Sequence, residues 1–261
     1  NADGSPKRPF RYLCGAELTP FDSSPVALIP MNKDGYSRLC RLITKAKRRA
    51  PKGHISLELN DILEANEDLL AFPLPPWEEA HLKRLQEAFQ DRIYLPVCKD
   101  LTWESVRLYQ QALAIERALG IPLFATARPL FHEPSRKPLH DVLTCILHKT
   151  TLAEAATRLT PNRERYVKGP REMMFLFRER PDLIARTLEI ASRVEFSLSE
   201  LRYRYPREYL PPGKTASEFL RELVEKGIAW RYAGETDAEF MTKVRRQVEK
   251  ELALIQELEY E

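Results

Sequence analysis

The period of the hydrophobic pattern changes near Pro134, and that change restricts the folds open to this chain more than any single motif does. Upstream, short apolar runs alternate with helical stretches. Residues 11–18 (RYLCGAEL) and 25–31 (PVALIPM) read as strands. Residues 35–50 turn helical, with Tyr36, Leu39, Cys40, Ile43 and Ala46 recurring every three or four positions. Residues 69–74 are another apolar run, closed by Pro75-Pro76, and 77–89 read as a helix. Residues 92–97 alternate, with Ile93, Leu95 and Val97 on one face of a strand. A helix over 103–119 carries Leu108, Ala112, Ile115 and Leu119 on one stripe. Gly120 fits the position just past its end, and Pro122 follows. Residues 122–127 (PLFATA) are the last strand. The order strand, strand, helix, strand, helix, strand, helix, strand predicts an α/β layer or barrel around a largely parallel sheet.

Downstream the pattern is nearly all helical. Residues 139–148 and 152–159 read as helices, as do 170–178, opened by Pro170, and 182–194, which follow Pro181. Residues 196–212 are extended and proline-rich. Thr215-Ala-Ser-Glu218 is a capping box for a helix ending near Gly227. Thr236-Asp-Ala-Glu239 is another, for a helix through about Leu258 striped with Phe240, Val244, Val248, Ile255 and Leu258. The stretch 161–206 joins the two regimes.

Apolar residues make up 43% of the chain and charged residues 30%, a globular rather than disordered balance. The net charge of +3 is too small to establish a nucleic-acid partner. Cys14, Cys40, Cys98 and Cys145 form no C-x-x-C pair and read as reduced thiols of a cytoplasmic protein. No apolar run is long enough to span a bilayer, so no membrane partner is expected. The common phosphate loops and the H-E-x-x-H and H-x-H metal motifs do not occur. His140 and His148 share a helix but lie two turns apart, which suits capping or polar packing rather than one metal ion. Glu17, at the end of a strand, occupies a plausible ligand position in an α/β barrel, yet one carboxylate does not make a metal site.

Two stretches are candidates for contacting DNA. Arg38, Arg41, Lys45, Lys47, Arg48 and Arg49 line the far side of the helix at 35–50. They read either as a phosphate-contacting face or as a solvated one whose cations suit a helix C-terminus. Further on, Tyr203, Tyr205 and Tyr209 interleave with Arg202, Arg204 and Arg207. Such a segment stacks bases and binds phosphates, or it simply buries Leu201, Tyr203 and Tyr205 while exposing Arg202 and Arg204. Spacing and composition alone disclose no self-contained active site.

Cys14-Gly-Ala-Glu17-Leu, together with Asp34-Gly-Tyr-Ser-Arg-Leu-Cys-Arg-Leu42, resembles the polymerase-and-histidinol-phosphatase (PHP) domain of bacterial C-family replicative polymerases. PLHDVLTCI (138–146), LTPNRERYVKGPREM (159–173), FSLSELRYRYP (196–206) and EKELALIQELEYE (249–261) resemble the error-prone alpha subunits of that family, used in mutagenic repair synthesis. The resemblance runs from about Tyr12 to the end. It implies an α/β fold: a partial, degenerate PHP-type (β/α) barrel, then a mostly helical segment leading to the palm. Residues 1–10 are then a tag or disordered lead. Residues 11–135 are the partial PHP-like domain, holding strands three to seven of the family barrel. Residues 136–200 are its helical end and connector, and 201–261 the helical start of the palm region.

By the same resemblance the chain starts near the third barrel strand and stops where the palm begins, with the magnesium-binding aspartates beyond Glu261. Glu17 matches the family's glutamate ligand. The other metal positions fall near Pro25, near Pro75 and at Arg128-Pro129-Leu130, which offer no ligand side chain. The expectation is therefore a piece with no metal or other cofactor and no catalysis of its own. It would be a scaffold in an error-prone DNA-directed DNA polymerase of replication and damage-induced repair, whose full-length form uses magnesium. Its expected partners are DNA and polymerase accessory proteins. The rival readings are a PHP-type metal-dependent phosphoesterase and a protein-interaction module. With two barrel strands missing, the sheet edge at 11–18 is expected to pair with another chain in a dimer, to lie under the N-terminal segment, or to close by rearranged strands.

Overall fold

The computed structural model describes residues 11–201 and 210–261. The lead at 1–10 and the Arg/Tyr-rich stretch at 202–209 lie outside them. The chain divides into two compact units, residues 1–201 and 202–261.

In the first unit, β1 (Ala16–Leu18), β2 (Val26–Pro30) and β3 (Leu69–Pro73) form one sheet in that order, and β4 (Leu95–Val97) and β5 (Leu123–Ala125) form a second. A parallel bridge from Ala71 to Ile93 ties β3 to the residues entering β4, so the two sheets are adjacent. Helices α1 (Lys33–Arg48) and α2 (Leu59–Glu64) lie between β2 and β3. Helices α3 (Glu79–Phe89) and α4 (Trp103–Leu119) provide the later crossovers. The expected order of strands and helices is present, with α2 added; its six residues are too few to show a helical period.

The expected largely parallel sheet is not found. β1, β2 and β3 pair antiparallel, and only β4 with β5 is parallel. The link from β1 to β2, residues 19–25, is shorter than the dozen or so residues a parallel crossover needs. Between β2 and β3 the chain makes a return pass. Arg49 pairs with Asp61, Lys45 with Asp61 and Glu64, and Arg38 with Glu67 and Asp68. Positions fall along α1 as they rise along 61–68, so this segment runs back against the helix. Its return reverses the strand that follows. Among the described residues no closed barrel forms, and β1 has no strand partner besides β2.

β3 is buried at all five positions. Leu69 and Ala71 join the larger core with Leu28, Leu39, Leu42, Ile62, Phe89, Leu95 and Leu123. Leu70 and Phe72, on the opposite face, pack with Tyr94, Ile190 and Val194. The last two come from α8 (Asp182–Ser192) and its exit, so the helical stretch after β5 folds back over the sheet. Between them run α5 (Lys137–His148), α6 (Leu152–Ala155) and α7 (Pro170–Leu176). The Glu195 and Phe196 amides donate to the Met31 carbonyl at 2.7 and 3.1 Å, and Phe196 stacks on Tyr36 at 4.6 Å.

The second unit is a helical hairpin of α9 (Ala216–Arg231) and α10 (Ala238–Glu257). Arg221 pairs with Glu249 and Arg245 with Glu225, which sets the helices antiparallel. Thr215 and Glu218 form the expected capping box. Two expectations shift. α9 runs through Gly227 to Arg231, since one glycine inside a helix costs only about 1 kcal/mol. α10 is capped by Asp237 rather than Thr236, its carboxylate accepting from the Glu239 and Phe240 amides; aspartate is as good an N-cap as threonine.

Two side-chain positions decide how α1 is held. A Cβ on Gly35 would lie 2.2 Å from the Asp68 carbonyl oxygen, which also accepts from the Met31 amide at 2.9 Å. Only glycine allows that approach. Gly35→Ala is expected to lower stability by about 1–3 kcal/mol, read as a lower urea midpoint at unchanged slope.

Asp61 is buried and accepts from Lys45 Nζ at 2.8 Å, Arg49 Nη1 at 2.6 Å and the Glu58 amide at 3.1 Å. Burial alone raises its pKa. The bonds from Lys45, Glu58 and Arg49 outweigh burial and hold it below the usual carboxylate range. A depressed carboxylate contributes stability above its unfolded value, near pH ~3.9, and loses it as pH falls through the lower folded value. Asp61→Asn is therefore expected to cost about 1–3 kcal/mol at neutral pH, its cationic partners being half-exposed and able to rehydrate. The variant's stability should also fall less steeply below about pH 4 than the parent's. Denaturant titrations across that range check both effects.

Candidate functional site

The strand ends converge on a cavity of about 180 Å³ in the first unit. Cys98 and Asp100 follow β4, Arg128 follows β5, and Arg165 enters from the loop before α7. Trp77, Leu108, Tyr109, Pro75, Pro96 and Val97 supply apolar wall. The crevice beyond the carboxyl ends of parallel strands is the usual place for a ligand in an α/β sheet.

Arg128 has a φ of +39°, a region unfavourable to a side chain of its kind. Two contacts hold it there. Its amide donates to Thr126 Oγ1 at 3.1 Å, and Arg165 donates from Nε and Nη2 to its carbonyl oxygen at 3.1 and 2.9 Å. Burial, and next the neighbouring Arg128 charge, hold the Arg165 guanidinium below its ordinary pKa. Arg165 was not singled out in the sequence: it lies within the 159–173 block that carries the family resemblance, but nothing local marks it as turned into a cavity.

Glu17 meets a cation rather than other ligands. Arg128 Nη2 donates to Glu17 Oε2 at 3.3 Å. Among the described residues no three His, Cys, Asp or Glu side chains come close enough to hold a metal ion. A guanidinium beside the one matching carboxylate brings the wrong charge, so the residues at this position do not fit a metal. Pro75 and Arg128 share the cavity wall, and the Pro25 carbonyl accepts from the Leu74 amide at 2.8 Å. His140 packs edge-on against Phe131, with its Nδ1 buried and unpartnered.

The surroundings of Cys98 disfavour its thiolate. Burial and then the Asp100 charge push its thiol up to about 11, and the nearby Arg165, Arg128 and Lys168 only partly offset this. Asp100 is committed to Thr102, accepting from its amide and its hydroxyl. Glu104 is bonded twice to Arg107. The cavity thus has polar groups but no base paired with an activated nucleophile.

The α1 candidates divide into two sets. Arg38, Lys45 and Arg49 are the cations of the ladder to residues 61–68. Arg41 and Arg48, with Lys47, are exposed and have no ion pair among the described residues. Cys40, Arg41, Thr44, Lys45, Arg48 and Arg49 line a groove of about 540 Å³ without a carboxylate in its wall. Asp61, the acid that anchors the ladder, was not singled out in the sequence, because nothing local marks an aspartate as buried. Arg202 and Arg204 lie outside the described residues.

No protein-family model matches the chain. Individual relatives do. The error-prone DNA polymerase of Bdellovibrio bacteriovorus is 48% identical over 256 residues, covering 98% of this chain and 24% of that protein. Those of Bradyrhizobium diazoefficiens and Caulobacter vibrioides are 38% and 35% identical, covering 96% and 97% of this chain and 22% and 24% of theirs. The chain spans about a quarter of the length of the curated relatives it matches. It is thus homologous, along nearly its whole length, to one segment of the error-prone DNA polymerases.

Proposed function

We propose that this chain is a non-catalytic scaffold segment of an error-prone DNA-directed DNA polymerase that works in replication and in damage-induced repair synthesis in the cytoplasm. The carrying observation is the match to error-prone polymerases over 98% of the chain but only 24% of the relative. What the segment itself holds agrees with a scaffold. Its strand-end cavity contains a high-pKa thiol and two arginines, one of them bonded to the other's carbonyl and that other paired with the Glu17 carboxylate. In the finer fold reading, the first unit is a partial, degenerate PHP-type barrel and the second the helical start of the palm. The longer polymerase would draw its catalysis from magnesium ions held elsewhere, acting on both attacking and leaving oxygens. DNA is its partner.

The rival phosphoesterase reading needs a metal cluster, which the Glu17–Arg128 pairing disfavours. The interaction-module reading has one observation in its favour. Leu139, Val142, Leu143, Ile146 and Leu147 form an exposed apolar stripe along α5. Co-sedimentation with purified replication clamp, comparing the parent with Leu143→Lys/Ile146→Lys, tests it; equal pelleting of both sinks that reading.

Primer-extension assays on the 261-residue chain, with primed template, nucleotides and magnesium, test the main proposal. No extension is expected. Extension above a heat-denatured control overturns the non-catalytic assignment. Metal analysis of the same preparation separates the phosphoesterase reading: more than one tightly held zinc or manganese per chain, with phosphodiester cleavage, would establish it instead.

A further inference from the structure

The ladder between α1 and residues 61–68 sorts a row of like-charged side chains into two populations. Lys45 and Arg49 each lie within about 20° of Arg38 around the helix, on either side of it, taking 100° per residue. This flank borders the buried stripe of Gly35, Leu39, Leu42 and Ala46 and meets the carboxylates of Asp61, Glu64, Glu67 and Asp68. Arg41 and Arg48 are one step further round, again within about 20° of each other and about 10 Å apart along the axis. Thr44 lies between them on the next line, and Lys45 and Arg49 close the groove on the ladder side. The carboxylates of the ladder reach across from the return segment to Arg38, Lys45 and Arg49, and none of them is among the side chains that line the groove.

We infer that this groove is a binding surface for a phosphodiester backbone, with Arg41 and Arg48 as the two contacting arginines; the Thr44 hydroxyl is held on its own helix, donating to the Cys40 carbonyl at 2.8 Å. The inference rests on the polymerase reading only for the choice of nucleic acid over another polyanion. The axial separation of the two guanidinium stems matches about three nucleotide steps at ~3.4 Å of rise per strand, so both reach phosphates of one strand without bending it. The surface carries no aromatic side chain to stack a base and no fixed amide to read a base edge. The contact is therefore to the backbone and insensitive to sequence. The ladder has a second role here. Lys45 and Arg49 are tied down by Asp61, so the groove is fixed in shape before any ligand arrives, which reduces the ordering cost of binding. Arg38, two turns before Lys45 and bound to Glu67 and Asp68, takes no part.

The test measures anisotropy of a fluorescein-labelled duplex of about two turns, and of its single strand, against the parent, Arg41→Gln/Arg48→Gln and Arg38→Gln. Salt is varied around ~0.1 M. Each phosphate contact on duplex contributes ~0.9 to the slope of log affinity against log salt. The double variant is expected to lose about 1.8 from the slope and about tenfold in affinity per arginine at ~0.1 M salt. Arg38→Gln is expected to bind as the parent does, though less stable to urea. Stronger binding to single strand than to duplex identifies which form supplies the phosphates, and either supports the inference. An unchanged slope in the double variant overturns it. So does equal loss in Arg38→Gln, or binding only to phosphatidylserine vesicles. Alkylation of exposed Cys40, mapped by mass spectrometry on the unmutated chain, is a second measurement that needs no variant; failure of both the duplex and the single strand to slow it also overturns the inference. A negative result with no primer extension leaves the scaffold assignment standing, whereas primer extension removes that assignment whatever the groove binds.

Discussion

Burial of β3 on both faces is the constraint on which the rest of the first unit depends. A strand with one wet face tolerates polar residues at alternate positions; LLAFP offers none, and all five positions are buried. Its two faces supply two separate clusters, one with the helices α1, α2 and α3, the other with α8. Something must cover each face. The antiparallel partner β2 then pairs its backbone along one edge, and on the other the Tyr94 amide donates to the Ala71 carbonyl at 3.0 Å. Arg92 adds to this by donating to the carbonyls of Asn66 and Leu69 as the strand begins. The apparent helical appendage after β5 is thus part of the same core, since without Ile190 and Val194 the face of Leu70 and Phe72 would be open to water.

The sequence shows the presence of these elements better than their direction. Period and punctuation locate nearly every strand and helix of the first unit, because each repeats an apolar stripe or ends at a proline or glycine. The helix Trp103–Leu119 matches to the residue, with Gly120 in a left-handed conformation at its end. Direction is a property of the whole return path. A stretch such as 50–68 has no strong period, yet it reverses the chain through three ion-pair steps along α1. The parallel expectation failed there, where the deciding contacts join residues 12 to 30 positions apart by hydrogen bonds that no window reveals.

The same limit applies to the basic helix. Its helical period places six cations on the outer side of α1, and that much is legible. Whether a cation is available to a ligand depends on which carboxylate crosses the gap to it. Asp61 decides this for two of them. A carboxylate at its depth, holding a lysine, an arginine and a backbone amide, is costly to form without those partners and therefore holds them tightly. The exposed pairs of the ladder, such as Lys45 with Glu64, contribute little energy but keep the return segment in register. Charge count overstates a binding face whenever part of it serves as internal fastening, and here the division runs along helical phase.

The strand-end cavity presents the reverse case. Glu17 was marked by its place at the end of a strand and Arg128 only by the family resemblance, and neither disclosed the character of the site. Arg128 is strained in backbone and paired in side chain, and its carbonyl is gripped by a second arginine. Strain of this kind persists only where surrounding contacts over-determine it, and at a strand end it often accompanies a working site. Here other contacts around the strained residue occupy the groups a working site would need. Glu17 is turned towards a guanidinium, Asp100 towards Thr102, and the Cys98 thiol is kept protonated by burial. The geometry of a strand-end pocket is retained while its charges cancel one another. That favours a structural role for the cavity and leaves the open, carboxylate-free groove on α1 as the better prepared surface for a charged partner.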